Sequence, residues 1–316
     1  MSVPYLLIVV GMGYIRQGAS IGLIRVARHQ SAFIARLFNI EAAAARLTEE
    51  HKTQDPILRF KKDVVSRRAV KKYKDAVPTD APSIFAPDGL LLKVRPDLAA
   101  ERERDPELFV SRVTCELLDI EAAWKKISDE RAPEPLSDDM KARSATLRAA
   151  LGETPLDDEA GMIAWLDGVV DQIARWAAKA AHDRHHHHTR RDWVSLTFPE
   201  DMAWPDGLVP HQRPRADLPE AIEGPPGTLR CRDGFKLTDL RGSLRYVLDQ
   251  TEYCVFCHER EKDSCSKGLP MPRKDKPIQR NPLGVALNGC PLDERISEMH
   301  MLKRMGDTIG ALAMVC

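Results

Sequence analysis

Residues 104–127, "RDPELFVSRVTCELLDIEAAWKKI", decide the fold of this chain. Asp105 stands where an N-cap side chain accepts a backbone amide hydrogen, and Pro106 takes the first helical position, where its missing N–H costs nothing. From there Phe109, Val113, Leu117, Ile120, Trp124 and Ile127 recur at intervals of three and four. The spacing predicts one helix with one apolar face, and that face has to be buried.

On the N-terminal side, "QDPILRFKKDVVSRRAVKKY" (54–73) repeats the device, predicting a second helix capped by Asp55 with Pro56 in its first turn. On the C-terminal side, "DDEAGMIAWLDGVVDQIARWAAKAAHDR" (157–184) carries the stripe Ile163, Leu166, Val170, Ile173 and Trp176. Proline-rich connectors, "VPTDAPSIFAPDG" and "RAPEPLSDD", separate these helices. The chain therefore reads as mainly α, with a helical domain over 1–192 whose compact part runs from about 31 to 182. Within it Cys115 reads as an ordinary thiol, as does Cys231 further on, and the tract His185–His188 reads as a polar loop.

Beyond Trp193 the composition changes. Pro199, Pro205, Pro210, Pro214, Pro219, Pro225 and Pro226 follow one another closely. Proline fixes φ and removes a donor, so 193–229 is expected to be an irregular arm, and 230–316 a second domain.

The 316 residues are 43% hydrophobic, enough to bury a real core, and 47 basic side chains balance 47 acidic ones. No bulk field draws the chain to nucleic acid or to an anionic surface. The apolar run Tyr5–Gly11 is too short to span a membrane and lacks the flanks of a secretory signal, so a cytoplasmic protein is expected. "GMGYIRQG" imitates a dinucleotide-binding turn, but Gly18 follows Gly13 by five residues where the fingerprint requires three.

Five of the seven cysteines lie in the last part of the chain: Cys254-x2-Cys257-x7-Cys265, then Cys290 after 24 residues, then Cys316. In a reducing compartment such a cluster points to a metal rather than to disulfides. Cys-x2-Cys delivers two thiolates from one turn, and Cys265 supplies a third corner of a cube. Cys290-Pro291 reads as a ligand entering a helix, with Asp293 and Glu294 in its first turn. A closed zinc site of Cys254, Cys257, Cys265 and Cys290 is the alternative; it would make the chain a zinc-stabilised helical binding module without redox activity. His258 and His300 flank the cysteines without an assigned ligand role.

"YCVFCHEREKDSCSKG" (253–268) and "NGCPLDERISEM" (288–299) resemble the N-terminal iron–sulfur region of FAD-dependent pyridine-nucleotide oxidoreductases. This alpha-helical ferredoxin-like region also precedes the flavin domains of the glutamate synthase small subunit and of dihydropyrimidine dehydrogenase. A "DGFKLTD"-like segment before the cysteines is shared with large bacterial members. The resemblance covers about 230 to 316.

It implies that Cys254, Cys257 and Cys265 bind one [4Fe-4S] cluster, and that Cys290 and Cys316 belong to a second. It implies further ligands, FAD and NAD(P)H in a downstream part of the same polypeptide, and a redox partner protein, so that this chain is the front of a longer oxidoreductase and catalyses nothing alone. One departure stands out. The family's short version has about four residues between its second and third cysteines and about three before Cys-Pro, against seven and 24 here. The insert "SKGLPMPRKDKPIQRNPLGVALN" (266–288), with Lys267, Arg273, Lys274, Lys276 and Arg280, reads as a solvated basic loop.

Overall fold

A computed structural model describes residues 15–73, 78, 89–127, 134–154, 156, 158–183, 190, 192–198, 211–226, 234, 242–254, 264–271 and 277–315, the side chains of 15–19 excepted. The chain is mainly α, and its only strand-like pairings among the described residues are isolated bridges. It divides into two compact units, one of residues 52–198 and one of residues 1–51 with 199–316.

In the unit 52–198 the predicted stripes become the core. Helix α5 (Pro106–Ile127) buries Phe109, Val113, Leu117, Ile120 and Trp124, and α7 (Glu159–His182) buries Leu166, Val170, Ile173 and Trp176. Leu91 from α3 (Leu90–Val94) and Leu147 from α6 (Asp138–Ala150) complete the same cluster, with α4 (Ala99–Arg104) leading into α5. Asp105 caps α5 as expected, its Oδ1 accepting from Leu108 N at 3.1 Å.

Ser137 and Asp158 do the same for α6 and α7, accepting from Met140 N at 3.3 Å and Gly161 N at 2.6 Å. Replacing either cap by alanine orphans an amide and is expected to lower the unit's stability by about 1 kcal/mol, read as a shifted urea midpoint.

Two expectations fail here. Helix α2 begins at Glu41 and continues to Phe60 with Pro56 inside it, so Asp55 lies within the helix and not at its N-terminus. The alanines Ala42–Ala45 favour an earlier start. Past the proline, Ile57, Leu58 and Phe60 are buried, and that gain offsets the lost backbone bond. A π-helical segment, Lys61–Val70, prolongs α2, with Ser66 Oγ donating to Lys61 O.

The arm also begins later than predicted. Trp193, Val194 and Leu196 are buried in the helical unit, the Trp193 ring 6.1 Å from that of Trp176, because three large apolar groups outweigh the prolines that follow them. Residues 211–226 contain no helix and are joined by one bridge between Gln212 and Glu223.

Two buried polar side chains of this unit, Glu121 and Trp124, are paired. Glu121, almost wholly enclosed, receives both terminal nitrogens of Arg68 (3.0 and 2.7 Å) and the Lys125 ammonium (2.7 Å). Trp124 Nε1 donates to Ser144 Oγ at 2.8 Å.

Cys115 packs against the Pro56 carbonyl at 3.5 Å, and burial pushes its thiol up to about 12 from an ordinary 9.0. A raised thiol pKa means that the neutral form is the one folding favours. The stabilisation is whole below about pH 9 and is lost as pH climbs towards 12. Cys115 is therefore expected to resist alkylation at pH 8 until the unit unfolds, which mass mapping of labelled peptides against urea would check.

In the second unit, α1 (Ile15–Leu37) packs Ile24 and Ala27 against Met299 and Leu302 of α10 (Ile296–Arg304) and Ala311 of α11 (Thr308–Ala313). Ser31 Oγ donates to Asp307 Oδ1 at 2.6 Å, and Asp307 caps α11 through Gly310 N. α8 (Leu244–Glu252) pairs with α10 through Arg304 and Glu252 at 2.8 Å. Whereas the sequence reading places 1–192 in one domain, residues 1–51 fall with the cysteine-bearing segment. The small apolar side chains of α1 find their complement on α10 and α11, a match that no local pattern encodes.

Candidate cysteine centre

In its described residues, 266–271 and 277–288, the insert between Cys265 and Cys290 is not an open loop; Arg273, Lys274 and Lys276 lie outside them. Residues 277–281 pair antiparallel with 269–271 on one side and with 285–287 on the other, through the bridges Pro270–Ile278 and Arg280–Ala286. Leu269 N donates to Leu287 O at 3.0 Å, Gln279 N to Leu269 O at 2.9 Å, and Leu287 N to Gln279 O at 2.8 Å. Proline and glycine exclude long strands here, yet alternate backbone groups still find partners. At the far turn Asn281 Oδ1 accepts from Leu283 N and Val285 N.

The consequence lies at the base of the excursion. Cys290 N donates to Cys265 O at 2.6 Å, so two cysteines 25 positions apart become backbone neighbours. Two glycines permit it. A Cβ on Gly289 would stand 2.0 Å from the Ser266 carbonyl oxygen, and one on Gly268, whose φ is +78°, 2.5 Å from the Leu287 carbonyl oxygen. Only a residue without a side chain lets the chains approach so closely.

Cys265 sits on the short α9 (Ser264–Lys267), and Cys290 opens a turn closed by Asp293 N donating to Cys290 O at 3.2 Å. Here the expected helix start at Pro291 is corrected. Asp293 adopts φ +54°, which stops any helix, and α10 begins only at Ile296.

Cys254 follows α8 and lies against α10, its Sγ 3.5 Å from Ser297 Oγ. Cys254, Cys265 and Cys290 are half-buried and carry no disulfide. Cys257 and Cys316, with Cys231, His258 and His185–His188, lie outside the described residues. Among the described residues no three His, Cys, Asp or Glu side chains form a ready ligand set. His300 on α10 is held below its usual pKa by burial, which favours the neutral imidazole.

The arrangement brings Cys265 and Cys290 together at a close backbone approach and sets Cys254 beside Ser297. Ser297 beside Cys254, and the glycines at 268 and 289, were missed by sequence reading. "KG" and "NG" next to a cysteine were the available signal. A groove of about 680 Å3 in the same unit, lined by Ala32, Ala35, Ala44, Leu47, Leu302 and Met305 among others, receives no cysteine.

No family model matches this chain, and no solved structure matches it. Over 77 residues, 23% of its length, it is 38% identical to an uncharacterized protein of Rickettsia prowazekii (strain Madrid E). The matched part spans about a quarter (26%) of that relative. Among the described residues no helix is long and apolar enough to cross a membrane.

Proposed function

We propose that the C-terminal part of this chain is the iron–sulfur electron relay of a longer FAD-dependent oxidoreductase. Cys254, Cys257 and Cys265 hold one [4Fe-4S] cluster, and Cys290 and Cys316 contribute to a second whose remaining ligands come from downstream polypeptide. NAD(P)H reduces FAD in that downstream part, and the clusters pass single electrons between the flavin and an acceptor. This chain's own residues orient thiolates, exclude water and donate hydrogen bonds to sulfur, which sets the potential. Thiolate ligands require a reducing compartment, and the cytoplasm supplies one.

One observation carries the reading. The bond from Cys290 N to Cys265 O splices the insert out, so that the third cysteine and Cys-Pro are backbone neighbours despite the 24 residues between them, which supports a shared centre. The departure in spacing is thereby accounted for as an excursion with its own pairing.

The test is anaerobic purification of the chain extended by its downstream polypeptide. A brown protein absorbing broadly near ~400 nm, with iron and acid-labile sulfide in equal amounts, is expected. A colourless protein that yields zinc to a chelator and contains no sulfide would overturn the reading in favour of the closed zinc site. Cys265→Ser is expected to remove about half of the absorbance, that of one cluster of two, while the 52–198 unit keeps its helical signal and its urea midpoint.

A further inference from the structure

The packed face of α1 consists of Ile24, Ala27, Ser31 and Ala35. A different face carries Leu23, Val26, Gln30, Phe33 and Leu37, continued by Ile40, and every one of them is exposed. Val26 and Phe33 are each 55% accessible and Leu37 is 62%. Their spacing alternates three and four, which is the seam of a helix that packs against another helix. A single polar residue, Gln30, interrupts it.

The charge beside this seam has one sign. Residues 15–37 contain Arg16, Arg25, Arg28, His29 and Arg36 and no Asp or Glu. Arg25, Arg28 and Arg36 form no ion pair among the described residues. His29 and Arg36 occupy the positions that flank the apolar seam, where partner helices place complementary charge. A second copy of α1 has no carboxylate to offer there. A lipid surface fits less well, because the Gln30 amide would lose its hydrogen bonds among acyl chains, whereas a facing helix can restore them.

From the exposed seam and its unneutralised basic flank we propose that α1 docks an acidic amphipathic helix of a partner protein, with Asp or Glu flanking an apolar heptad face. The inference is independent of the metal assigned to the cysteines. The surface resembles a domain core cut in half, with specificity from the charged edge and affinity from Val26, Phe33 and Leu37.

The test uses the full chain and a synthetic helix of about three heptads with Leu at the seam, Gln at its central position and Glu at the flanks. A second peptide with Lys in place of Glu, and phosphatidylcholine–phosphatidylglycerol vesicles, serve as the other arms. Saturable binding of the Glu peptide is expected, about tenfold or more tighter than the Lys peptide and weakening with salt. Phe33→Asp should weaken it by about 30-fold or more. Both Arg36→Glu and Leu37→Gln should weaken it too, with unchanged circular dichroism, since these side chains are exposed.

Equal affinity for both peptides, or no saturation at about 100 µM, would overturn the proposal. So would sedimentation with vesicles that Phe33→Asp abolishes, or a dimer of the chain that Phe33→Asp dissolves.

Discussion

Gly289→Ala is expected to destroy the cysteine centre as thoroughly as removing a cysteine. The new methyl would sit 2.0 Å from the Ser266 carbonyl oxygen and 2.5 Å from Lys267 N, and both are backbone atoms that no rotamer change can move. Relief requires the two chains to separate. Separation breaks the bond between Cys290 N and Cys265 O and releases Leu269 from Leu287. The thiols of Cys265 and Cys290 then lose their common frame.

Gly284→Ala is the control: its φ is +77°, but no atom lies within 4 Å of an added Cβ, so only backbone strain of about 1 kcal/mol opposes it. The measurement is acid-labile sulfide per chain after anaerobic preparation, together with hydrogen-exchange protection of the Leu287 and Cys290 amides. Near-complete loss of both is expected for Gly289→Ala and retention for Gly284→Ala. Wild-type protection in Gly289→Ala would show that the chains do not meet as described, with or without a metal.

Phe109→Ala should have the largest effect on the 52–198 unit. Phe109 is fully enclosed, on the α5 face packed against α7, in a cluster that also holds Phe60, Leu166 and Ile173. Truncation removes the ring's transfer free energy and leaves a cavity that rigid helices cannot collapse. The expected loss is about 3–5 kcal/mol, a large share of the roughly 5–15 kcal/mol that a domain possesses. Urea unfolding followed by Trp fluorescence reports it, since Trp124, Trp176 and Trp193 belong to the same cluster. A shift below about 1 kcal/mol would mean that α5 does not bury this face.

α5 was legible because cap, proline and stripe agreed within one segment, and α7 because its apolar stripe kept the helical period over the whole segment. Asp55-Pro56 offered the same local signal and failed. A cap competes with everything upstream of it, and four alanines together with the burial of Ile57, Leu58 and Phe60 were worth more than one capped amide. Cys290-Pro291 failed for a related reason. Proline permits a helix start without compelling one, and the left-handed Asp293 stopped it.

The residues 254–316 show where local reading ends. What the residue types made legible there was the cysteines, in a Cys-x2-Cys rhythm with three more further on. Those follow from composition and spacing alone, as does the helical character of 105–182, because periodicity is a property of the chain. That Cys265 and Cys290 touch through their backbones, that Ser297 faces Cys254, and that residues 1–51 join this segment depend on contacts between positions far apart in sequence. Long-range contacts form only when the summed burial of many side chains outweighs the entropy of closing the loops between them, so tertiary structure alone decided them.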